Sequence, residues 1–220
     1  YKRYDNFAIP EVYQFRLDSD SELRKSQRGG AFFAIADKFL NDGGVVYGAA
    51  FTGTWRVIHQ KATDSQSLDK LRMSKYVQSD IRGIFPKIKE ELKSGIKVLF
   101  SGTACQVAGL KSYVPKRLHE NLFCIDIICH GVPSPAVWRK YLAWRTGGEE
   151  IQGISFRNKN LSWERYLLAI FYKNANKYLC DLHHDVYMQG FLQNLYLRPS
   201  CHECRFCRQN RPVDITIADY

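Results

Sequence analysis

The hydrophobic positions fall into two spacings that take turns along the chain. Phe32, Ile35, Ala36 and Phe39 recur on one face of a helical period, predicting a helix over Ala31 to Leu40 that is opened by Gly29-Gly30 and stopped by Gly43-Gly44. Val45 to Ala50 is an unbroken apolar run and predicts a buried strand, with Trp55 to His59 as its hairpin partner across Thr52-Gly53. A helix over Asp80 to Lys93 follows, then a short strand at Lys97 to Phe100, a Ser101-Gly102-Thr103 turn and a helix from Ala104 to Tyr113. Leu122 to Ile128 reads as the next strand, and Pro135 to Trp144 as a helix with Pro in its first turn. Strand and helix alternating in this way predict a sheet with parallel pairs and crossover helices.

The character changes after Gly147-Gly148. Ile151 to Arg157 and Arg165 to Tyr172 alternate as antiparallel strands do, a helix is predicted over His184 to Tyr196, and a cysteine-rich loop from Arg198 to Pro212 leads into a last strand at Asp214 to Ile217. The expected fold class is therefore α/β: a mixed central sheet flanked by helices, with an antiparallel C-terminal part and a cysteine-rich loop. Residues 1–28 read as an extended leading segment, because Pro10 and Asp18-Ser19-Asp20-Ser21 break any period, and residues 29–220 as the domain proper. A start without Met and an end just past a strand read as a fragment of a longer protein. No internal repeat or low-complexity segment stands out.

Composition narrows the function classes. The 220 residues are 45% apolar and 25% charged, as in ordinary globular proteins, and long enough to bury a real core. No apolar run approaches the roughly 18 residues of a membrane span, and no signal peptide opens the chain, so a cytoplasmic protein is expected. The net charge of +10 is scattered, which argues against a nucleic-acid-binding arm; it suits a basic cleft for a phosphorylated cofactor, a docking face for an acidic partner, or a solvated basic surface. Seven cysteines without a secretory segment argue against a disulfide framework and for thiols that are buried, catalytic or metal-binding.

Cys201, Cys204 and Cys207 lie at successive C-x2-C spacings, which let thiolates in one loop reach a soft metal centre. A bacterial ferredoxin run would place a fourth Cys at the position of Arg211, so this loop cannot close a cluster alone. Cys105 follows a predicted strand at a helix N-terminus, and Cys129 follows another strand just before His130-Gly131-Val132-Pro133. Loops after parallel strands line the ligand crevice of α/β folds, so both can converge there with the C-x2-C loop. Each, taken singly, reads equally well as a buried thiol. Cys124 and Cys180, inside apparent strands, read as small buried hydrophobes. A zinc site of Cys201, Cys204, Cys207 and His202 remains open.

Several segments in fixed order resemble the coenzyme F420 hydrogenase/dehydrogenase beta-subunit family. They are Ser26-Gln-Arg-Gly-Gly30, Ser74-Lys-Tyr-Val-Gln-Ser79, Phe100-Ser-Gly-Thr-Ala-Cys105-Gln106-Val-Ala-Gly-Leu110, Asp126-Ile-Ile-Cys129-His-Gly-Val-Pro-Ser-Pro135, Ser155-Phe-Arg-Asn-Lys159 with Trp163, Leu197-Arg-Pro-Ser-Cys201-His-Glu-Cys204-Arg-Phe206, and Asp214-Ile-Thr-Ile-Ala-Asp219. The resemblance implies an FAD-binding oxidoreductase domain that carries a 4Fe–4S cluster and, in the best-known members, passes hydride to the deazaflavin coenzyme F420. It implies Cys105, Cys129, Cys201 and Cys204 as cluster ligands, with Cys207 as an extra, and an electron donor or acceptor protein or ferredoxin-like domain as partner. Flavin contacts would come from Ser26, Gly29, Gly30, Lys75, Tyr76, Thr103 and Gln106.

The residues themselves suit those roles but do not demand them. Gly29-Gly30 at a helix N-terminus lets a diphosphate approach backbone N–H groups, yet it equally marks a plain helix boundary. Lys75 can neutralise a phosphate and Tyr76 can stack, or both can be surface residues. Arg28, Ala104 and Ala218 depart from the family pattern. Electrons passing singly through a cluster and in pairs from a flavin require no acid–base dyad, so no catalytic residue is singled out. The competing expectation is a zinc-stabilised adaptor that keeps the fold without the redox role.

Overall fold

The computed structural model describes residues 10–158, 166–208 and 211–219. The chain runs α1 (Asp20–Arg24), α2 (Ala31–Asn41), β1 (Val45–Phe51), β2 (Val57–Ala62), α3 (Ser65–Asp69), α4 (Ile84–Lys93), β3 (Val98–Gly102), α5 (Ala104–Tyr113), β4 (Leu122–Ile127), α6 (Pro135–Thr146), β5 (Ile151–Asn158), β6 (Leu167–Tyr172), β7 (Lys177–Asp181), α7 (Val186–Leu192) and β8 (Ile215–Ile217). The expected α/β class holds. A five-stranded mixed sheet has the order β2-β1-β3-β4-β8, in which only the β1–β2 pair is antiparallel, and a separate antiparallel sheet has the order β5-β6-β7.

The main sheet is covered on both faces, which is why β1 and the Val98–Phe100 part of β3 are unbroken apolar runs rather than alternating. Val45, Tyr47, Val98 and Phe100 pack with Ile88 of α4 and Val107 of α5. Val46, Ala50 and Leu99 point the other way, onto Ala36 of α2 and Leu68 of α3. The third core joins the small sheet to α6 and α7 through Trp138, Tyr141, Phe156 and Tyr187.

Several boundaries differ from the sequence reading, each for a local reason. The leading segment is not extended throughout: Ser19 caps the N–H of Glu22 and starts α1, so the polar cluster that breaks hydrophobic period also begins a helix. β2 starts at Val57, because Trp55 adopts φ +58 in the turn. α4 starts only at Ile84: Asp80 is spent in sheet pairing, with His59 N donating to Asp80 O at 2.9 Å and Asp80 N to Val57 O at 2.9 Å. α7 stops at Leu192, before Asn194 at φ +63. Lys159 and Trp163 lie outside the described residues.

Candidate functional site

A cleft of about 1170 Å³, including space open to solvent, lies beyond the C-terminal ends of β3 and β4. Its walls are the 26–33 turn and start of α2, the 71–79 segment, the Gly102–Gln106 turn and the 127–133 loop. This is where loops after parallel strands place ligand sites. Ser26, Gly30, Lys75, Tyr76, Thr103 and Gln106 all line it; Gly29 does not.

Both glycines of the turn are required by the backbone itself. Arg28, Gly29 and Gly30 have φ of 52, 65 and 83, and a Cβ on Gly29 would collide with Phe15 O, one on Gly30 with Leu17 Cδ1. Leu17 N donates to Gly29 O at 2.9 Å and Gly30 N to Gln27 O at 2.9 Å. Thr103 caps α5, and Gln106 turns back to accept from Thr103 N at 3.0 Å while its amide donates to Ser79 Oγ at 2.9 Å. Gln106 therefore shapes the turn with both its polar atoms.

Among the described residues, four buried polar atoms of the cleft wall have no hydrogen-bond partner: Gln27 Nε2, Arg28 Nε, His59 Nδ1 and Arg72 Nε. Gln27 Oε1 accepts from Ser74 N at 3.2 Å and Ser74 Oγ at 2.7 Å, which fixes the amide orientation and leaves Nε2 as a buried donor without an acceptor. Arg28 Nη1 donates to Ser74 Oγ at 3.3 Å, whereas its buried Nε lies 3.8 Å from Asp219 Oδ1, beyond hydrogen-bond distance. His59 faces Ser101 O through Nε2 at 3.0 Å; a carbonyl only accepts, so Nε2 carries the proton and Nδ1 is a bare, buried acceptor. Burial lowers the His59 pKa to about 4, with the Ser101 carbonyl opposing and the Lys75 charge adding to that shift. Lys75 folds its ammonium onto Lys70 O at 3.1 Å and Arg72 O at 2.5 Å, and burial lowers its pKa to about 7. Arg72 is closed off by Glu22 Oε2 at 2.5 Å and Asp69 Oδ1 at 2.9 Å.

One cysteine lines this cleft, and three others are its electrostatic neighbours. Cys129 lines it, and burial pushes its thiol up to about 11; the Gly131 N–H opposes that shift, and the nearby Cys105, Cys201 and Cys204 thiols add to it. The Cys201 turn reaches Cys129 because Leu197 bridges to Pro133 in antiparallel fashion, with Arg198 N donating to Val132 O and Ser134 N to Tyr196 O, both at 3.0 Å. The far end of the loop is tied to the same strand: Arg211 Nη1 donates to Asp126 Oδ2 at 2.9 Å and to Ile127 O at 3.2 Å. Cys105 Sγ lies 3.1 Å from Thr103 Oγ1, and Cys207 Sγ, on the exposed side, contacts Cys204 O at 3.0 Å. Cys124 is fully buried in β4; Cys180, on β7, is only half-buried. Among the described residues, no three His, Cys, Asp or Glu side chains stand as a set that can hold a metal ion, and no helix is long and apolar enough to cross a membrane.

Sequence reasoning did not find Gln27, His59 or the Asp126–Arg211 pair. Gln27 lay within a motif already singled out, and Arg211 was noticed only as a missing cysteine. His59, inside an apparent strand, carried no signal.

The family model for the C-terminal part of the coenzyme F420 hydrogenase/dehydrogenase beta subunit matches residues 95–220. Among solved structures, the fold is similar to a chain of the F420-reducing [NiFe] hydrogenase complex from Methanosarcina barkeri, at 17% identity and a TM-score of 0.58 over 86% of this chain and 63% of that one. The chain thus spans less than two thirds of the length of that relative, and at this identity the likeness speaks to the fold. No curated protein matches the sequence.

Proposed function

The chain belongs to the coenzyme F420 hydrogenase/dehydrogenase beta-subunit family, and from that premise we propose that it is an oxidoreductase domain holding FAD in the cleft and a 4Fe–4S cluster on Cys105, Cys129, Cys201 and Cys204. The observation that carries the reading is the position of Cys129, which lines the cleft and has the other three thiols as electrostatic neighbours. Three separate chain segments supply those thiols, whereas zinc modules usually use paired short spacings. A four-iron cube also holds its thiolates further apart than a single ion does, so an ion-sized set is not what it needs.

The cleft residues fit a flavin dinucleotide. Gln27 Nε2 and Arg28 Nε are buried donors without acceptors, suited to phosphate oxygens. Lys75 supplies a cation that gains by meeting an anion, and Tyr76 offers a ring for stacking. A flavin bound there supplies exchange between one-electron and two-electron carriers. The protein's part is to hold the two groups side by side, keep water from the Cys129 end, and present both to a deazaflavin or other acceptor and to an electron-carrying protein or ferredoxin-like domain.

The test is anaerobic reconstitution of the full-length protein with iron, sulfide and FAD, followed by assays for iron, sulfide, zinc and flavin. Bound cluster and flavin, with reduction of a one-electron acceptor dye by reduced deazaflavin, are expected. Cys204→Ala should abolish the cluster and slow that transfer sharply while leaving flavin binding intact. Stoichiometric zinc, no flavin and no transfer would sink the proposal in favour of an adaptor.

A further inference from the structure

Between the cleft and an exposed tryptophan runs an unbroken line of aromatic rings. The Tyr76 ring, in the cleft wall, meets Phe156 edge-on at 5.5 Å, and Phe156 lies 5.0 Å from Trp138. Trp138, almost wholly buried, stacks on Tyr141 at 5.7 Å and 24°, and Tyr141 lies 6.2 Å from Trp144, which is 62% exposed. A second buried ring, Tyr187, sits 4.9 Å from Trp138 and ties back to the cleft by donating its hydroxyl to Tyr76 O at 2.7 Å. Every step spans about one ring.

The chemistry of the line differs from that of a packing core. Phe and Leu would fill the same space, but Trp138, Tyr141 and Trp144 are the side chains that give up single electrons most readily. Beneath Tyr141 lies Asp185, a buried carboxylate 2.6 Å from the Tyr141 hydroxyl and 3.0 Å from that of Tyr178. Burying a carboxylate is costly, and capping the Met188 N–H at 2.9 Å does not need two phenols around it. A carboxylate at that distance is, however, what a tyrosine needs to lose an electron and its proton together. At Trp138, Nε1–H donates to Trp55 O at 2.9 Å, a carbonyl that cannot take the proton, so an electron vacancy there stays mobile.

We propose that this line conducts one-electron oxidising equivalents from the cleft to the surface, away from the thiols of Cys105 and Cys129. The oxidant is a strong one-electron acceptor formed in the cleft, such as a partly reduced oxygen species. It takes one electron from Trp138, by way of the intervening Tyr76 and Phe156 rings. Tyr141 refills Trp138 and passes its hydroxyl proton to Asp185. Trp144 refills Tyr141, Asp185 returns the proton, and Trp144 sheds its own indole proton to water; the Arg145 guanidinium 4.5 Å from its ring disfavours the cation and favours that loss. A thiol in solution then donates a hydrogen atom to Trp144. The oxidant is reduced by one electron, the thiol is oxidised by one, and the protein is unchanged.

The test uses the full-length protein loaded with FAD, excited by a laser flash and followed by transient absorption. A long-lived tyrosyl or tryptophanyl radical that added thiol quenches is expected. Trp138→Phe should lower its yield at least tenfold, Trp144→Phe should leave a tyrosyl signal that thiol no longer reaches, and Asp185→Asn, which keeps the helix cap, should suppress the tyrosyl signal. Unchanged yield in Trp138→Phe overturns the relay. The flash experiment rests on the flavin reading, so a second arm does not: cofactor-free protein is oxidised by photogenerated ruthenium(III) polypyridine in solution. There Trp144→Phe should cut the Tyr141 radical yield tenfold, and an equal yield overturns the relay whatever becomes of the flavin.

Discussion

Lys75→Met tests whether the cleft stores an electrostatic cost that a ligand relieves. The Lys75 ammonium is held against two carbonyls, and burial depresses its pKa from the usual 10.5 to about 7. Between those values the unfolded chain binds the proton that the folded protein has lost, so stability rises with pH, by up to about 1.4 kcal/mol per pH unit. Below pH 7 the native protein therefore carries a penalty of at most about 5 kcal/mol for holding a protonated Lys75, an upper bound that solvent near the cleft reduces. Methionine keeps the length of the side chain and removes the charge, but it leaves Lys70 O and Arg72 O without their donor, at about 1 kcal/mol each.

The net expectation is that Lys75→Met is more stable than the natural protein by about 1–2 kcal/mol at pH 6 and that the advantage shrinks steadily by pH 9. Urea denaturation of both proteins at pH 6, 7, 8 and 9, without ligand, measures the difference directly. FAD affinity should move the opposite way, falling in the variant because the neutralising cation is gone. Parallel pH profiles for the two proteins would refute the depressed pKa, and unchanged FAD affinity would remove Lys75 from the site.

The tie between the cysteine loop and β4 makes a separate prediction: Arg211→Ala leaves the fully buried Asp126 without its partner and should cost about 3–5 kcal/mol in chemical denaturation, with Cys201 and Cys204 becoming faster to alkylate than Cys105. At the turn into α2, Gly29→Ala should cost about 2–3 kcal/mol, since alanine at φ +65 also meets Phe15 O; a thermal shift within error of the natural protein would show that the 15–17 segment yields freely.

The parts of the fold that could be read from the sequence are those in which local spacing and tertiary packing agree. α5 matches its expected bounds, Ala104 to Tyr113, because the Thr103–Gln106 contact sets its start locally and Val107 and Leu110 bury on one face. α3 was missed because five residues cannot show a hydrophobic period; it exists through Asp64, whose carboxylate accepts from Ser67 N at 2.8 Å while Ser67 Oγ receives Asp64 N at 3.2 Å. Asp80 was misread as helix because its backbone pairs with β2, a non-local choice that no window around residue 80 contains. The site divides in the same way. The loops that carry Cys105 and Cys129 are legible because they come after parallel strands, whereas Ser26, Gly30, Lys75, Tyr76, Thr103 and Gln106 are indicated only by the family resemblance. The unpartnered atoms of Gln27 and His59 are not legible, since lacking a partner is a property of everything packed around an atom.

Cys124 and Cys129 show how far such reasoning reaches. They lie five residues apart on one strand and its exit, and composition treats them alike. Cys124 sits in register opposite Phe100, inside the core between β4 and α5, and burial pushes its thiol up to about 12. β4 ends at Ile127, so Cys129 falls past the last paired residue, where the chain turns through Gly131 at φ +150 and its side chain faces the cleft. A Cβ on Gly131 would lie 2.6 Å from Leu197 Cδ1, so the same glycine lets the 197–201 segment close against this loop. The end of a strand thus separates a packing thiol from a candidate ligand, and a glycine beside it brings in the next two. Cys180 tests the rule from the other side: it too lies within a strand, yet β7 is the outer strand of the small sheet and leaves it half-exposed and away from the cleft. Being inside a strand excluded it from the site without making it core, because burial depends on where the strand sits in its sheet and the site depends on where the strand ends.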